Sequence, residues 1–132
     1  MRVELSKRFR FEAAHRLPYL PDGHKCRRLH GHSFEVYVYV VGEVEARVGW
    51  LIDYADIAAV VEPITRQIDH RFLNEIDGLD NPTSEHLARW LFERIAPGLP
   101  LLAAIAVEET CTARCVYRGD RAGVGASPAD SL

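Results

Sequence analysis

The chain has 132 residues, of which 48% are hydrophobic and 27% charged, and this composition excludes a disordered or collagen-like chain. A length in this range predicts one domain, and the net charge of −3 at pH 7 argues against a general nucleic-acid-binding surface. No apolar run approaches the ~20 residues needed to cross a bilayer. The alternating start is unlike a targeting peptide, and the odd count of three cysteines favours a reducing cytoplasm over a disulfide framework.

Two strands are predicted in the first third of the chain. Residues 3–16 alternate, with Phe9, Phe11 and His15 on one face and mainly charged residues on the other. A loop containing proline and glycine follows. Residues 32–41 are rich in aromatic and β-branched side chains, which predicts the second strand.

Two helices are predicted in the middle of the chain. The first is capped by Asp53, contains Pro63 as an expected kink, and ends near Asp69 and His70. The second follows the turn at residues 81–85 and stops at Pro97 and Gly98.

Residues 101–109 and 113–118 are predicted to form the last two strands. The order ββααββ is that of an α+β fold with an antiparallel sheet. We expect a single domain over residues 1–119 and a disordered tail over residues 120–132, which are small, polar and rich in glycine.

Three histidines are placed to share a metal ion. His30 and His32 are two residues apart in a strand, so their imidazoles point to the same face, and His15 lies on the apolar face of its own strand. Three inward imidazoles suit zinc with a fourth position left open, although Fe²⁺, Co²⁺ or Ni²⁺ would accept the same ligands. The alternative is a set of hydrogen-bonded histidines in a sheet without a metal.

Cys26 precedes His30 by four residues and would lie beside such a metal. A nearby dication, or the basic neighbours of Cys26, would favour its thiolate, which can act as a general base or nucleophile. Two other interpretations stay open at this point. Cys26 could be a fourth metal ligand that closes the site, or simply a small apolar residue.

Two acidic residues, Asp69 and Glu109, are further candidates for the site. Asp69 could orient the adjacent His70 and raise its basicity, although a solvated helix end fits the same residues better without further context. Glu109 follows Ile105 and Val107 on one strand face, so its carboxylate is aimed inward, where it could accept two N–H groups from a guanine-like or pterin ring. If the strand ended earlier, Glu109 would face water.

Five motifs occur in chain order: Phe11-Glu12-Ala13-Ala14-His15, Cys26-x-x-x-His30-Gly31-His32, Asp69-His70, Asn81-Pro82-Thr83-Ser84-Glu85 and Glu109-Thr110. As a set, over about residues 3–119, they resemble the 6-pyruvoyl-tetrahydropterin synthase family. The resemblance is to its 6-carboxy-tetrahydropterin synthase branch from queuosine biosynthesis in particular, because the short Cys-x-x-x-His-Gly-His spacing is typical of that branch.

The resemblance implies a tunnelling fold, with both helices on one face of the sheet and an oligomeric barrel built as a homohexamer of two stacked trimers. It also implies a zinc-dependent lyase that converts 7,8-dihydroneopterin triphosphate into 6-carboxy-5,6,7,8-tetrahydropterin, acetaldehyde and triphosphate. Active sites would lie between subunits, and neither nucleic acid nor membrane would be a partner.

Residue roles follow from the resemblance, position by position. Zn²⁺ would be held by His15, His30 and His32, and Cys26 would be the catalytic base. Asp69 and His70 would form a proton-relay pair. Glu109 would anchor the pterin ring, with help from Thr83 and Ser84.

A cluster of three cations supplies a further candidate that does not come from the resemblance. Lys25, Arg27 and Arg28 fall within four residues and could bind the triphosphate, or they could simply be a solvated loop.

Overall fold

A computed structural model describes residues 1–120 as a five-stranded sheet with two helices packed against it. The order of strands across the sheet is β3-β1-β2-β4-β5. The elements, in chain order, are β1 (Arg2–His15), β2 (His30–Glu43), α1 (Tyr54–Arg66), β3 (Arg71–Phe72), α2 (Ser84–Ile95), β4 (Leu102–Thr110) and β5 (Ala113–Tyr117). Among these residues, neither helix is long and apolar enough to cross a membrane.

The long hairpin of β1 and β2 determines where the histidines lie. Its antiparallel register runs from Arg2 opposite Glu43 to His15 opposite His30. The loop over residues 16–29 connects the strands at the histidine end and contains a short 3-10 turn at Lys25–Arg27. Strand β2 is longer than predicted at both ends, so His30 belongs to the ladder itself.

Both helices cover the same face of the sheet, as expected for amphipathic helices on a half-buried sheet. The fully buried core joins inward side chains of the hairpin to those of the helices. Its members include Phe34, Val36, Ile57, Val61, Leu87, Leu91 and Ile105. On the opposite face, a smaller apolar cluster surrounds Tyr39, Ala104 and Ala106.

The sheet is mixed, whereas an antiparallel sheet was predicted. The two-residue strand β3 pairs in parallel with β1, through Ala13 opposite Arg71 and Ala14 opposite Phe72. A strand this short has no alternation that a sequence pattern can detect. The predicted order ββααββ is therefore correct for the other six elements and lacks β3.

The first helix also ends earlier than predicted. Asp53 is confirmed as its N-cap, since its carboxylate accepts from the backbone N–H of Ala55 at 2.9 Å, and the helix continues through Pro63. It ends at Arg66, not near Asp69 and His70. His70 has a φ of 58°, which a right-handed helix cannot accommodate. The predicted disordered tail lies outside the described residues, apart from Asp120.

Candidate active site

The three predicted metal ligands lie together at the loop end of the β1–β2 hairpin. The ring centroid of His15 is 4.5 Å from that of His30 and 5.1 Å from that of His32. The centroids of His30 and His32 are 4.9 Å apart, and one ligand atom from each histidine lies within 4.8 Å of the others. The expected convergence of these side chains on one point is present in the structure.

Backbone carbonyls fix the orientation of two of these rings. The Nδ1 atom of His15 is 2.8 Å from the carbonyl oxygen of Pro82, and that of His30 is 2.7 Å from the carbonyl oxygen of Arg28. Because a carbonyl can only accept, both Nδ1 atoms carry the proton and both Nε2 atoms are free to bind a metal. His15 Nε2 is buried and has no hydrogen-bond partner.

Burial keeps His15 and His32 in the form that binds a metal. Desolvation, reinforced by neighbouring histidines, lowers the pKa of His15 to about 4 despite the hydrogen bond to Pro82. Burial also lowers the pKa of His32. Neutral imidazole is the ligand form. The orphaned nitrogen and the neutral rings fit a divalent cation, and three nitrogen donors suit zinc in a site with one open position.

Cys26 lies in the loop that joins the two histidine-bearing strands. It is half-buried, and its backbone N–H donates to Nδ1 of His24 at 3.1 Å. In the part of the chain that the structure describes, the group able to share one ion comprises the three histidines without Cys26. This arrangement favours an open metal position over a site that Cys26 closes.

Glu109 lies beside the histidine cluster. One of its carboxylate oxygens is 3.9 Å from Nε2 of His32, and its side chain is 26% exposed. Burial raises the pKa of Glu109; the charge of His30 opposes this and that of Glu85 adds to it. The inward orientation predicted from the strand pattern therefore describes the structure better than the water-facing alternative.

A cavity of about 360 Å³ separates Glu109 from the start of α2, with Ser84, Glu85 and Thr110 also in its wall. Thr83 is the N-cap of α2, and its hydroxyl accepts from the backbone N–H of His86 at 3.1 Å. Ser84 donates from Oγ to Glu85 at 2.8 Å. The predicted pterin-binding residues Ser84 and Glu109 thus line one cavity, and Thr83 holds the helix end next to it.

The Asp69–His70 pair lies at the edge of the sheet next to β3. Nδ1 of His70 is 3.0 Å from the Asp69 carboxylate, and the His70 side chain is 76% exposed. Asp69 also accepts from the backbone N–H of Glu12 at 2.9 Å. The hydrogen bond from Glu12 is the largest cause of the lowered pKa of Asp69, followed by the one from His70. His70 and His32 both line an open depression of about 520 Å³.

The three cations of the loop differ in what they contact. Arg27 donates to the carbonyl of Leu20 and to the carboxylate of Asp22, both at 2.9 Å. Lys25 and Arg28 are exposed. Arg27 therefore braces its own loop, and the other two side chains extend into solvent.

Sequence reasoning missed the backbone groups that orient the site. The carbonyls of Pro82 and Arg28 orient histidines. The backbone of Glu12 binds both Asp69 and His70, through its N–H to the Asp69 carboxylate and its carbonyl to the N–H of His70. Backbone contacts across 57 or 67 residues leave no signal in residue type. His24 and His86, which had no assigned role, bond backbone groups beside these loops.

Fold and site together define an α+β protein with a cluster of three histidines, able to hold a metal ion, beside a half-buried carboxylate. Residues 4–120 match the family model described as 6-pyruvoyl tetrahydropterin synthase. The chain belongs to the 6-pyruvoyl tetrahydropterin synthase family, as its motifs predicted.

Relatives within the family carry different names. The chain is 41% identical to a 6-carboxy-5,6,7,8-tetrahydropterin synthase of Synechocystis, over 87% of this chain and 92% of the relative. It is 37% identical to a dihydroneopterin monophosphate aldolase of Pyrococcus furiosus, over 76% and 81% of the two chains. A solved 6-pyruvoyl tetrahydropterin synthase from Caenorhabditis elegans superposes with a TM-score of 0.84 at 27% identity, over 91% and 97%.

Proposed function

We propose that the protein is a zinc-dependent lyase of queuosine biosynthesis. Its substrate would be 7,8-dihydroneopterin triphosphate, and its products 6-carboxy-5,6,7,8-tetrahydropterin, acetaldehyde and triphosphate. The observation that carries this proposal is the buried, unpartnered Nε2 of His15 beside two further imidazoles. It occurs in a chain that is 41% identical, over most of its length, to a relative named for this product.

His15, His30 and His32 would hold the metal. Bound zinc supplies Lewis acidity, which would make the side-chain hydroxyls of the substrate more acidic and stabilise negative charge on their oxygens. The carbonyls of Pro82 and Arg28 hold two of the rings in the ligating tautomer. Three neutral ligands leave the full charge of the dication available to the substrate.

Cys26, Asp69 and His70 would move protons. Cys26 lies in the loop beside the histidines, and as a thiolate it could remove a proton from the side chain of the substrate. Asp69 would orient His70, whose exposed imidazole could pass a proton to or from the substrate. The main chain of Glu12 holds this pair in place.

Glu109 would bind the pterin ring. An ionised carboxylate that is half-buried gains most from a partner with two parallel N–H groups, which the pterin edge provides. The cavity between Glu109 and Ser84 supplies space for a flat ring, and Thr83 would contribute at the helix start. Lys25 and Arg28 are exposed and suited to the triphosphate, whereas Arg27 would first have to leave Asp22.

The protein would act in the cytoplasm as a homohexamer, with active sites at subunit interfaces. The three free cysteines of the described residues are compatible with a reducing compartment. The outward orientation of His70 supports a shared site, because an imidazole that is 76% exposed is accessible to a second copy of the chain. Light scattering on the purified protein would test the mass of six chains.

Product identification tests the proposed reaction. The zinc-loaded protein is incubated with 7,8-dihydroneopterin triphosphate, and the pterin product and released aldehyde are identified by mass spectrometry. We expect the 6-carboxylated tetrahydropterin together with acetaldehyde. A 6-pyruvoyl product without aldehyde would contradict the proposal.

A second candidate function is aldol cleavage of the pterin side chain to a hydroxymethylpterin. The 37% identity to a relative named dihydroneopterin monophosphate aldolase favours it. The same assay with the monophosphate as substrate separates the two activities. A hydroxymethylpterin, with no carboxylated product from the triphosphate, would select the aldolase.

A further inference from the structure

Strand β4 contains an irregularity next to Glu109. Val107 pairs with Cys115 of β5, and Thr110 pairs with Ala113. Two residues of β4, Glu108 and Glu109, therefore lie opposite the single residue Arg114. This count defines a β-bulge, a device that re-aims a side chain and is common next to active sites.

Arg114 makes three contacts around this bulge. Its Nε donates to the carboxylate of Glu108 at 2.9 Å, and its Nη1 donates to the hydroxyl of Tyr39 at 2.7 Å. Its guanidinium also lies 4.5 Å from the ring centroid of Tyr37. Tyr39 is buried, so the contacts attach the bulge to a fixed part of β2.

Arg114 compensates negative charge that collects around the bulge. Glu108 lies opposite Glu35 across β2 and β4, and it precedes Glu109 in the chain. Like charges facing each other across a sheet destabilise it. Arg8 pairs with Glu35 at 3.4 Å, and Arg114 pairs with Glu108. With Glu108 held by Arg114, the Glu109 carboxylate is oriented towards His32.

We propose that Arg114 is a positioning residue, which fixes the bulge in β4 and thereby aims Glu109 into the site. The proposal rests on the proposed function in one respect, the role of Glu109 in binding the pterin ring. Arg114 hydrogen-bonds to Glu108 and Tyr39 rather than to Glu109 or the histidines, and it also lines the cavity beside Glu109. If Arg114 acts by positioning Glu109, its effect on pterin binding should disappear when Glu109 is removed, whereas a direct contact with the pterin ring would persist.

A double-mutant cycle tests this dependence. The affinity of the zinc-loaded protein for neopterin is measured by fluorescence in the wild type, in Arg114→Ala, in Glu109→Ala and in the double variant. Arg114→Ala should weaken binding about tenfold in the wild-type background, within the range for residues of one network. It should have no further effect when Glu109 is already alanine. An equal loss in both backgrounds would overturn the proposal, because it would show either general structural damage or a direct contact between Arg114 and the ligand.

Three further measurements complete the design. Arg89→Ala removes an exposed Arg–Glu pair from α2, 3.7 Å from Glu93, and should leave neopterin affinity unchanged. Arg114→Lys keeps the charge without the two-armed fork, so its affinity should fall between those of the wild type and Arg114→Ala. Wild-type affinity in Arg114→Lys would contradict a requirement for the two-armed guanidinium group. Zinc content should be equal in all variants.

Amide hydrogen exchange supplies a readout that needs no ligand. Residues 108–110 should exchange faster in Arg114→Ala than in the wild type or in Arg89→Ala. Unchanged exchange would show that Arg114 does not hold the bulge, whatever the binding data say. A wild-type protein that fails to bind neopterin would count against the proposed function, while the exchange result would still decide the structural half of this proposal.

Discussion

The role of Cys26 determines whether the metal site is open or closed, because a fourth ligand from Cys26 would close it. We expect Cys26→Ala to keep its zinc and to lose at least about 100-fold in kcat, the usual contribution of a general base. Metal analysis and steady-state kinetics on the same preparation measure both quantities. Cys111→Ala is the matched control, because Cys111 is an exposed free thiol on the β4–β5 turn. Loss of zinc from Cys26→Ala would make Cys26 a ligand, and unchanged turnover would remove it from the mechanism.

Asp69 should make stability depend on pH. Hydrogen bonds from Glu12 and His70 lower its pKa below the ordinary value of 3.8, so the folded state holds a proton less readily than the unfolded state. Its stabilising contribution is therefore complete well above pH 4 and is lost as the pH falls through the lowered pKa.

Asp69→Asn is the variant that tests this pH dependence. We expect the wild type to exceed Asp69→Asn in free energy of unfolding at pH 7, and the difference to shrink towards pH 3. Urea unfolding at both pH values measures it. A difference that is constant with pH would contradict the ionised role of Asp69.

At the scale of single residues, the sequence predicted which side chains converge at one end of the sheet but not what orients them. The spacing of His30 and His32, and the alternation that places His15 and Glu109 inward, follow from strand geometry alone. The carbonyl of Pro82 reaches His15 across 67 residues, and every residue type has such a carbonyl. The pattern of residue types in the sequence therefore could not predict which backbone groups contact these side chains.

At the scale of elements, the start of α2 supports the site. Thr83 caps this helix, and the adjacent Pro82 carbonyl binds His15. We expect Thr83→Ala to lower the free energy of unfolding by about 1 kcal/mol, the typical contribution of an N-cap. Ser84→Ala is the control, since the Ser84 hydroxyl donates to the exposed carboxylate of Glu85, and this change should cost less than about 0.5 kcal/mol. Denaturant unfolding compares them, and equal values would show that the cap contributes nothing.

Long periodic elements were predictable and short irregular ones were not. The hairpin strands and both helices follow from alternation and helical spacing, with ends displaced by a few residues. Strand β3 has two residues, and the bulge opposite Arg114 depends on pairing between strands, so neither leaves a periodic signal. The helix α1 ends early because the backbone hydrogen bonds after Arg66 tighten, with the N–H of Gln67 bonded to the carbonyl of Ile64 and that of Ile68 to Thr65. The left-handed conformation of His70 follows this turn.

At the scale of the whole molecule, the candidate residues surround an open site. The histidines and Glu109 lie under the helix-covered face at one end of the sheet, and the Asp69–His70 pair lies exposed at the adjoining β3 edge, where His70 and His32 line one open depression. A chain of this size has little interior in which to enclose a substrate alone. A second copy that covers this depression would complete the site, and this links the proposed hexamer to the proposed reaction.

Metal titration with an aldehyde readout tests the central claim most directly. Zinc is removed from the protein with a chelator and added back in steps, while acetaldehyde release from 7,8-dihydroneopterin triphosphate is measured. Turnover should be absent without metal, rise in proportion to added zinc, and level off at about one ion per chain, as a single three-histidine site requires. His32→Ala should not recover under the same titration. Equal acetaldehyde release by the metal-free and zinc-loaded proteins would contradict a catalytic metal centre at His15, His30 and His32.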